Sequence, residues 1–222
     1  MTHVAADESP PLLRARGISR RFADRTILSE VDLDVASGEA VGVVGPNGSG
    51  KSTLLRCLIG ADRADAGETT LDGRVLDERE PGIRADMAVV MDDIDFFPDL
   101  SVVEHLDLVA RAHAQPDAQE VVDAVLAETG LMEVSGQLPS TLSSGQRRRL
   151  ALASAFVRPR RLLVLDEPEA RLDVAGVQWL GAKLLAEKTA GRAVLLVSHD
   201  PDLVARVCDR VVRLGDEPDD GD

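Results

Sequence analysis

The chain has 222 residues, 44% hydrophobic and 29% charged, enough to bury a large core in one or two compact lobes. A formal net charge of −14 argues against non-specific attachment to nucleic acid or to an anionic lipid face, though not against docking on a membrane protein. No apolar run approaches the roughly 18 residues that span a bilayer, and the N-terminus lacks the basic-then-apolar order of a secretory signal.

Residues 1–11 are polar, end in Pro10-Pro11 and are expected to form a flexible tail. Short apolar stretches then recur at 12–13, 31–35 and 40–44, separated by polar turns such as Ala36-Ser37-Gly38, and predict strands. Residues 54–59 predict a helix, and 69–75 a hairpin turning at Asp72-Gly73. Residues 87–91 predict a buried strand. The character then changes. Helical spacing over 102–113 and 117–128, and a strongly apolar helix over 145–157, predict a helical insert from 92 to 157. Beyond it, 161–165 and 193–197 predict parallel core strands. Between them Val174, Val177, Leu180, Leu184 and Leu185 line one face of a helix that Gly191 can end. Asp200-Pro201 supplies an N-cap and a first-position proline for a last short helix. The acidic stretch 216–222 predicts disorder. Cys57 and Cys208 lack metal or redox spacing and read as buried free thiols in a reducing compartment.

The most specific signal is Gly45-Pro46-Asn47-Gly48-Ser49-Gly50-Lys51-Ser52-Thr53, which completes the pattern G-x-x-x-x-G-K-[ST] between a predicted strand and a predicted helix. Its glycines let the backbone approach an anion, its N–H groups form a concave nest, and the helix start adds a positive dipole end. Lys51 reaches β- and γ-phosphates, and the Ser52 hydroxyl can bind Mg²⁺. The chain is therefore read as a nucleoside triphosphate binder. Residues 162–165 lead into Asp166-Glu167, two carboxylates at a strand end. Asp166 can hold Mg²⁺ and Glu167 can orient and deprotonate an attacking water. Taken alone the pair equally describes a solvated strand end; about 115 residues after Lys51 it gains meaning.

Leu142-Ser143-Ser144-Gly145-Gln146 precedes an apolar helix. It reads either as an ordinary helix cap or as an uncapped helix start awaiting an external phosphate. The run resembles the L-S-G-G-Q signature of the ATP-binding cassette (ABC) ATPases, with Ser144 where the family has glycine. The resemblance covers about residues 12–215. It identifies Phe22 with the aromatic that stacks on adenine and His199, in Ser198-His199-Asp200, with the switch histidine at the γ-phosphate. Two positions depart. Asp92 stands at the glutamine of the Q-loop, where it implies a shorter, charged metal ligand, and Arg171 stands at a usually small position before Leu172-Asp173.

The resemblance implies an α/β fold: a RecA-like P-loop core (12–91 and 158–215) with an antiparallel β subdomain, and an α-helical subdomain (92–157). It implies an ATP hydrolase with ATP and Mg²⁺ as cofactors. Glu167 and His199 would be catalytic, and Ser52, Asp92 and Asp166 would hold the metal. Phe22, the loop 45–53 and Ser143 to Gln146 would bind nucleotide. The expected partners are a second copy, paired head to tail around two ATP, and separately encoded membrane permease subunits, with no nucleic acid. The expected place is the inner face of the cell membrane, through the permease. Phe96 and Phe97 are candidates for the docking groove or for core. The short length leans toward export. The rival reading is a non-transport ABC ATPase acting on a soluble assembly partner.

Overall fold

The computed structural model describes residues 10–77, 80–91 and 95–215. Among these residues, nine strands form two sheets. Strands β1 (Leu13–Phe22), β2 (Arg25–Val35), β4 (Ala66–Leu71) and β5 (Arg74–Val75) make an antiparallel sheet in the order β2-β1-β4-β5. Strands β3 (Ala40–Val44), β6 (Met87–Val90), β7 (Leu162–Asp166), β8 (Ala193–Val197) and β9 (Arg210–Arg213) make a parallel sheet in the order β6-β7-β8-β3-β9. Helix α1 (Lys51–Leu58) follows β3, and α2 (Pro81–Asp86) precedes β6. Helices α3 (Val102–Ala112), α4 (Ala118–Thr129) and α5 (Ser144–Phe156) lie between β6 and β7. Helix α6 (Val174–Thr189) joins β7 to β8, and α7 (Pro201–Val207) joins β8 to β9.

β7 and β8 are buried along their whole length, as expected of parallel strands covered on both faces. Alternation then divides the core. Leu162 and Val164 join Val41, Val43, Leu195 and the α1 residues Leu54, Leu55 and Leu58 under the antiparallel sheet. Leu163 and Leu165 join Val194 and Leu196 against the helices on the other side, with Leu106, Val122, Leu150 and Leu184. The β4–β5 turn has positive φ at both Asp72 (52°) and Gly73 (72°), the geometry of a two-residue hairpin turn.

A buried ion pair ties α6 to the end of α5. Arg160 Nη2 lies 2.6 Å from Glu187 Oε1, and Arg160 Nη1 also donates to the carbonyls of Ala155 and Phe156. It closes orphan carbonyls at the helix end while its charge is neutralised.

Two expectations need correction. Val174 does not share the buried face of α6: it is 77% exposed, in the first turn after the Asp173 N-cap, and burial begins at Gly176 and continues through Leu180, Gly181, Leu184 and Glu187. Cys57 is buried and free as expected, but Cys208 is only half-buried; desolvation pushes its thiol up to about 11. The expected tails, 1–11 and 216–222, lie almost wholly outside the described residues.

Candidate functional site

Strand register brings the pieces together. Val43 pairs with Val197, and Val197 with Asp166, so β3, β8 and β7 end in one row. The phosphate-loop motif, the Asp166-Glu167 turn and Ser198-His199 therefore leave adjacent strands at the carboxyl edge of the sheet, where open α/β sheets bind ligands.

The loop from Gly45 to Gly50 has a shape that side chains would spoil. A Cβ on Gly45 would fall 2.3 Å from the Leu214 carbonyl oxygen, and Gly50 adopts φ +94° as the N-cap of α1. Among the described residues no side chain caps α1, and its first turn carries no acidic residue, which leaves its N-terminal donors available to an anion. Ser49 Oγ is buried without a hydrogen-bond partner among the described residues. Lys51 is 6% exposed, and its Nζ donates to the Gly45 and Pro46 carbonyls at 2.9 and 3.0 Å. An ammonium has three donors, so one remains for a phosphate oxygen.

A cleft of about 480 Å³ runs over this loop. It is lined by Phe22, Arg25 and Ile27 of the antiparallel sheet, by Asn47, Gly48, Gly50, Lys51, Ser52 and Thr53 of the loop and helix start, and by Glu167. The volume suits a nucleotide-sized ligand. Phe22 is 48% exposed, with the Arg20 guanidinium 4.7 Å from its ring centroid. Gly45, Pro46 and Ser49 belong to the loop without lining the cleft.

Asp166 is buried at the end of β7. Glu167 follows at φ +46°, and its N–H continues the ladder to the Val197 carbonyl at 2.8 Å. This turn swings the Glu167 carboxylate toward β8, where Oε1 meets His199 Nε2 at 2.9 Å. The Ser52 hydroxyl and the Asp166 carboxylate are hard oxygen donors of the type Mg²⁺ prefers. Asp92 lies outside the described residues.

Ser143 to Gln146 do not line the cleft. Of the two readings of this run, the structure shows the helix cap: a capping box closes α5, with Ser143 Oγ accepting from the Gln146 N–H at 3.2 Å and Gln146 Oε1 accepting from the Ser143 N–H at 2.8 Å. Ser144 and Gly145 begin the helix, and the Arg171 carbonyl approaches Gly145 closely. Arg171 itself has φ +67°.

Three residues at the cleft or the carboxylate turn escaped the sequence. Arg25 and Ile27 line the cleft beside Phe22. Arg148 is 3% exposed and donates to the carbonyls of Asp166 (2.7 Å), Pro168 (3.1 Å), Met91 (3.1 Å) and Glu167. It ties α5 to the carboxylate turn and to the end of β6. Helical spacing with the buried Leu152 and Ala155 could have separated it from its neighbours Arg147 and Arg149. Phe96 and Phe97 pack on the buried His105, with ring centroids 5.4 and 5.7 Å away; Phe96 is partly buried and Phe97 is 53% exposed.

A parallel sheet whose strand ends carry a lysine-bearing glycine loop and a carboxylate pair defines a P-loop nucleotide-binding ATPase. The chain belongs to the ABC transporter family, whose model matches residues 28–170. Family membership makes it an ATP-binding, ATP-hydrolysing protein of the ABC type. Over 211 residues it is 39% identical to the aliphatic sulfonates import ATP-binding protein SsuB 2 of Burkholderia cenocepacia, covering 95% of this chain and 76% of that one. Over 197 residues it is 38% identical to the spermidine/putrescine import ATP-binding protein PotA of Pseudomonas aeruginosa, covering 86% and 53%. A solved ATP-binding subunit of an ABC transporter superposes with a TM-score of 0.85 at 27% identity, covering 91% of this chain and 85% of that one. Both named relatives are import proteins, so the lean toward export, drawn from length alone, has no support and the comparison points the other way. Among the described residues, no helix is long and apolar enough to cross a membrane.

Proposed function

We propose that this chain is the ATP-hydrolysing subunit of an importer, converting Mg-ATP hydrolysis into movement of separate membrane permease subunits. The observation that carries this reading is that the signature run and the phosphate loop lie apart within one chain. The cleft holds Phe22, Lys51, Ser52 and Glu167 but none of Ser143 to Gln146. A second copy, paired head to tail, would bring its α5 N-terminus to the exposed side of the nucleotide. Phe22 stacks on adenine. The loop N–H groups and Lys51 bind the β- and γ-phosphates, Glu167 takes the proton of the attacking water, and His199 donates to the γ-phosphate. Mg²⁺ would be held by Ser52 and Asp166, with Asp92 as a further ligand, and would supply neutralisation of phosphate charge. Residues 92–157 would move as a subdomain on closure, and Phe97 would meet the permease. The import direction rests on the names of the relatives, and their substrates do not carry over.

The test is assembly. In Glu167→Gln, light scattering should report a monomer without nucleotide and a dimer with Mg-ATP. A monomer at saturating Mg-ATP would refute the paired site. Co-purification of a chain with several apolar spans would support the permease link; a soluble partner alone would overturn it.

A further inference from the structure

β8 ends at Val197, and the next two residues, Ser198 and His199, run beyond the sheet. Something else must hold them, because an imidazole that acts on a phosphate works only from a fixed backbone. The side chain that does so comes from the facing turn. Glu169 Oε1 accepts from Ser198 Oγ at 2.6 Å and from the His199 N–H at 3.0 Å. Ser198 is 3% exposed and its Oγ also accepts from the Asp200 N–H at 3.0 Å. Asp200 in turn caps α7 through the N–H groups of Asp202 and Leu203. The second oxygen of Glu169, Oε2, is buried without a hydrogen-bond partner among the described residues. A carboxylate is thus kept partly desolvated while both of its side-chain hydrogen bonds among the described residues go to the histidine segment.

Glu167 and Glu169 flank Pro168 and approach the same segment from one turn, closed by the Ala170 N–H to the Glu167 carbonyl at 3.0 Å. Glu167 meets the imidazole of His199, and Glu169 meets its backbone. The side chains of His199 and Glu167 are 44% and 38% exposed, so their surroundings alone do not hold them still. We infer that Glu169 is a positioning residue for ATP hydrolysis: it anchors Ser198 and the His199 backbone and so fixes the distance of the imidazole from Glu167 and from the γ-phosphate. The inference rests on the proposed role of His199.

The test is a double-mutant cycle on steady-state Mg-ATP hydrolysis, with the parent, Glu169→Ala, Glu169→Gln, His199→Ala and the double variant Glu169→Ala/His199→Ala. Glu169→Ala should lower kcat about tenfold or more and leave KM within about twofold, because a small misplacement of a catalytic group costs turnover more than binding. Glu169→Gln, which keeps an acceptor oxygen, should restore most of the rate. The double variant should match His199→Ala alone, since Glu169 acts through that residue. Parental kcat in Glu169→Ala, or a double variant that loses the product of the two single losses, overturns the inference while the role of His199 stands. Parental kcat in His199→Ala overturns both. Melting curves check that each variant is folded. Should Glu169→Ala not fold, Ser198→Ala removes one of the two donors; a severalfold fall in kcat then supports the anchor and parental kcat overturns it.

Discussion

Glu167 Oε1 and His199 Nε2 stand 2.9 Å apart, although Glu167 leaves β7 and His199 leaves the neighbouring strand β8. The contact follows from the sheet. Asp166 and Val197 are paired, so the next residues of both strands emerge side by side, and φ +46° at Glu167 turns its carboxylate across the gap. One imidazole thus touches the carboxylate proposed to take the proton.

Phe22 should serve binding more than chemistry. Its ring faces the cleft with Arg20 against it, and an aromatic stack is worth about 0.5–1.5 kcal/mol. Phe22→Ala is expected to raise the KM for Mg-ATP roughly two- to tenfold and to change kcat little. Calorimetry that finds ATP affinity unchanged would move the adenine platform elsewhere.

Arg148 should be a stability residue that lysine cannot replace. One planar guanidinium reaches carbonyls on two separate segments, Met91 and residues 166–168. A lysine ammonium lacks that fork, and each buried carbonyl left unpaired costs about 1–3 kcal/mol. Arg148→Lys is therefore expected to lower the melting temperature by about 4–8 °C, read by circular dichroism. An unchanged melt would contradict the bracing role.

His105 should make stability depend on pH. Burial holds its pKa below the ordinary value of 6.5. Ser154 Oγ donates to the Leu150 carbonyl and so must accept from His105 Nε2, which leaves Nδ1 as a buried acceptor, without a partner among the described residues. The folded state therefore prefers the neutral ring, and the unfolded state takes up a proton first as pH falls. Stability should be full above about 6.5 and decline as pH drops through that value toward the folded pKa. His113, also lowered by burial and by Arg158 and Arg84, adds to the same slope. His105→Asn should flatten the loss between pH 7 and 5 relative to the parent, measured by urea unfolding. Parallel pH curves for the two proteins would rule out the assignment.

Among the strands, the most legible in the sequence are those buried on both faces, while α3, α4 and α5 are legible by helical spacing. β3 and β8 are found with the bounds predicted for them, because a fully covered parallel strand is written as an unbroken apolar run. β9 went unread: its two valines sit between arginines on a largely exposed strand, so nothing in its composition separates it from a loop. β1 reads as only Leu12-Leu13 in sequence, since Arg14, Arg16, Arg20 and Arg21 interrupt the pattern and register shifts break its alternation. Val174 was misplaced because helical spacing does not say where along a helix the covering layer stops. The phosphate loop was legible because its chemistry lies in nine consecutive residues. Glu169 was not, since its meaning depends on partners 29 and 30 residues away.

Glu167 is the proposed base of the ATP-hydrolysing site. The direct measurement is phosphate release from Mg-ATP by the purified parent and by Glu167→Gln, alongside nucleotide binding by each. An amide cannot take the proton of the attacking water, so turnover should fall by about 10²-fold or more while ATP affinity is kept. Hydrolysis by Glu167→Gln at the parental rate would show that Glu167 is not the base.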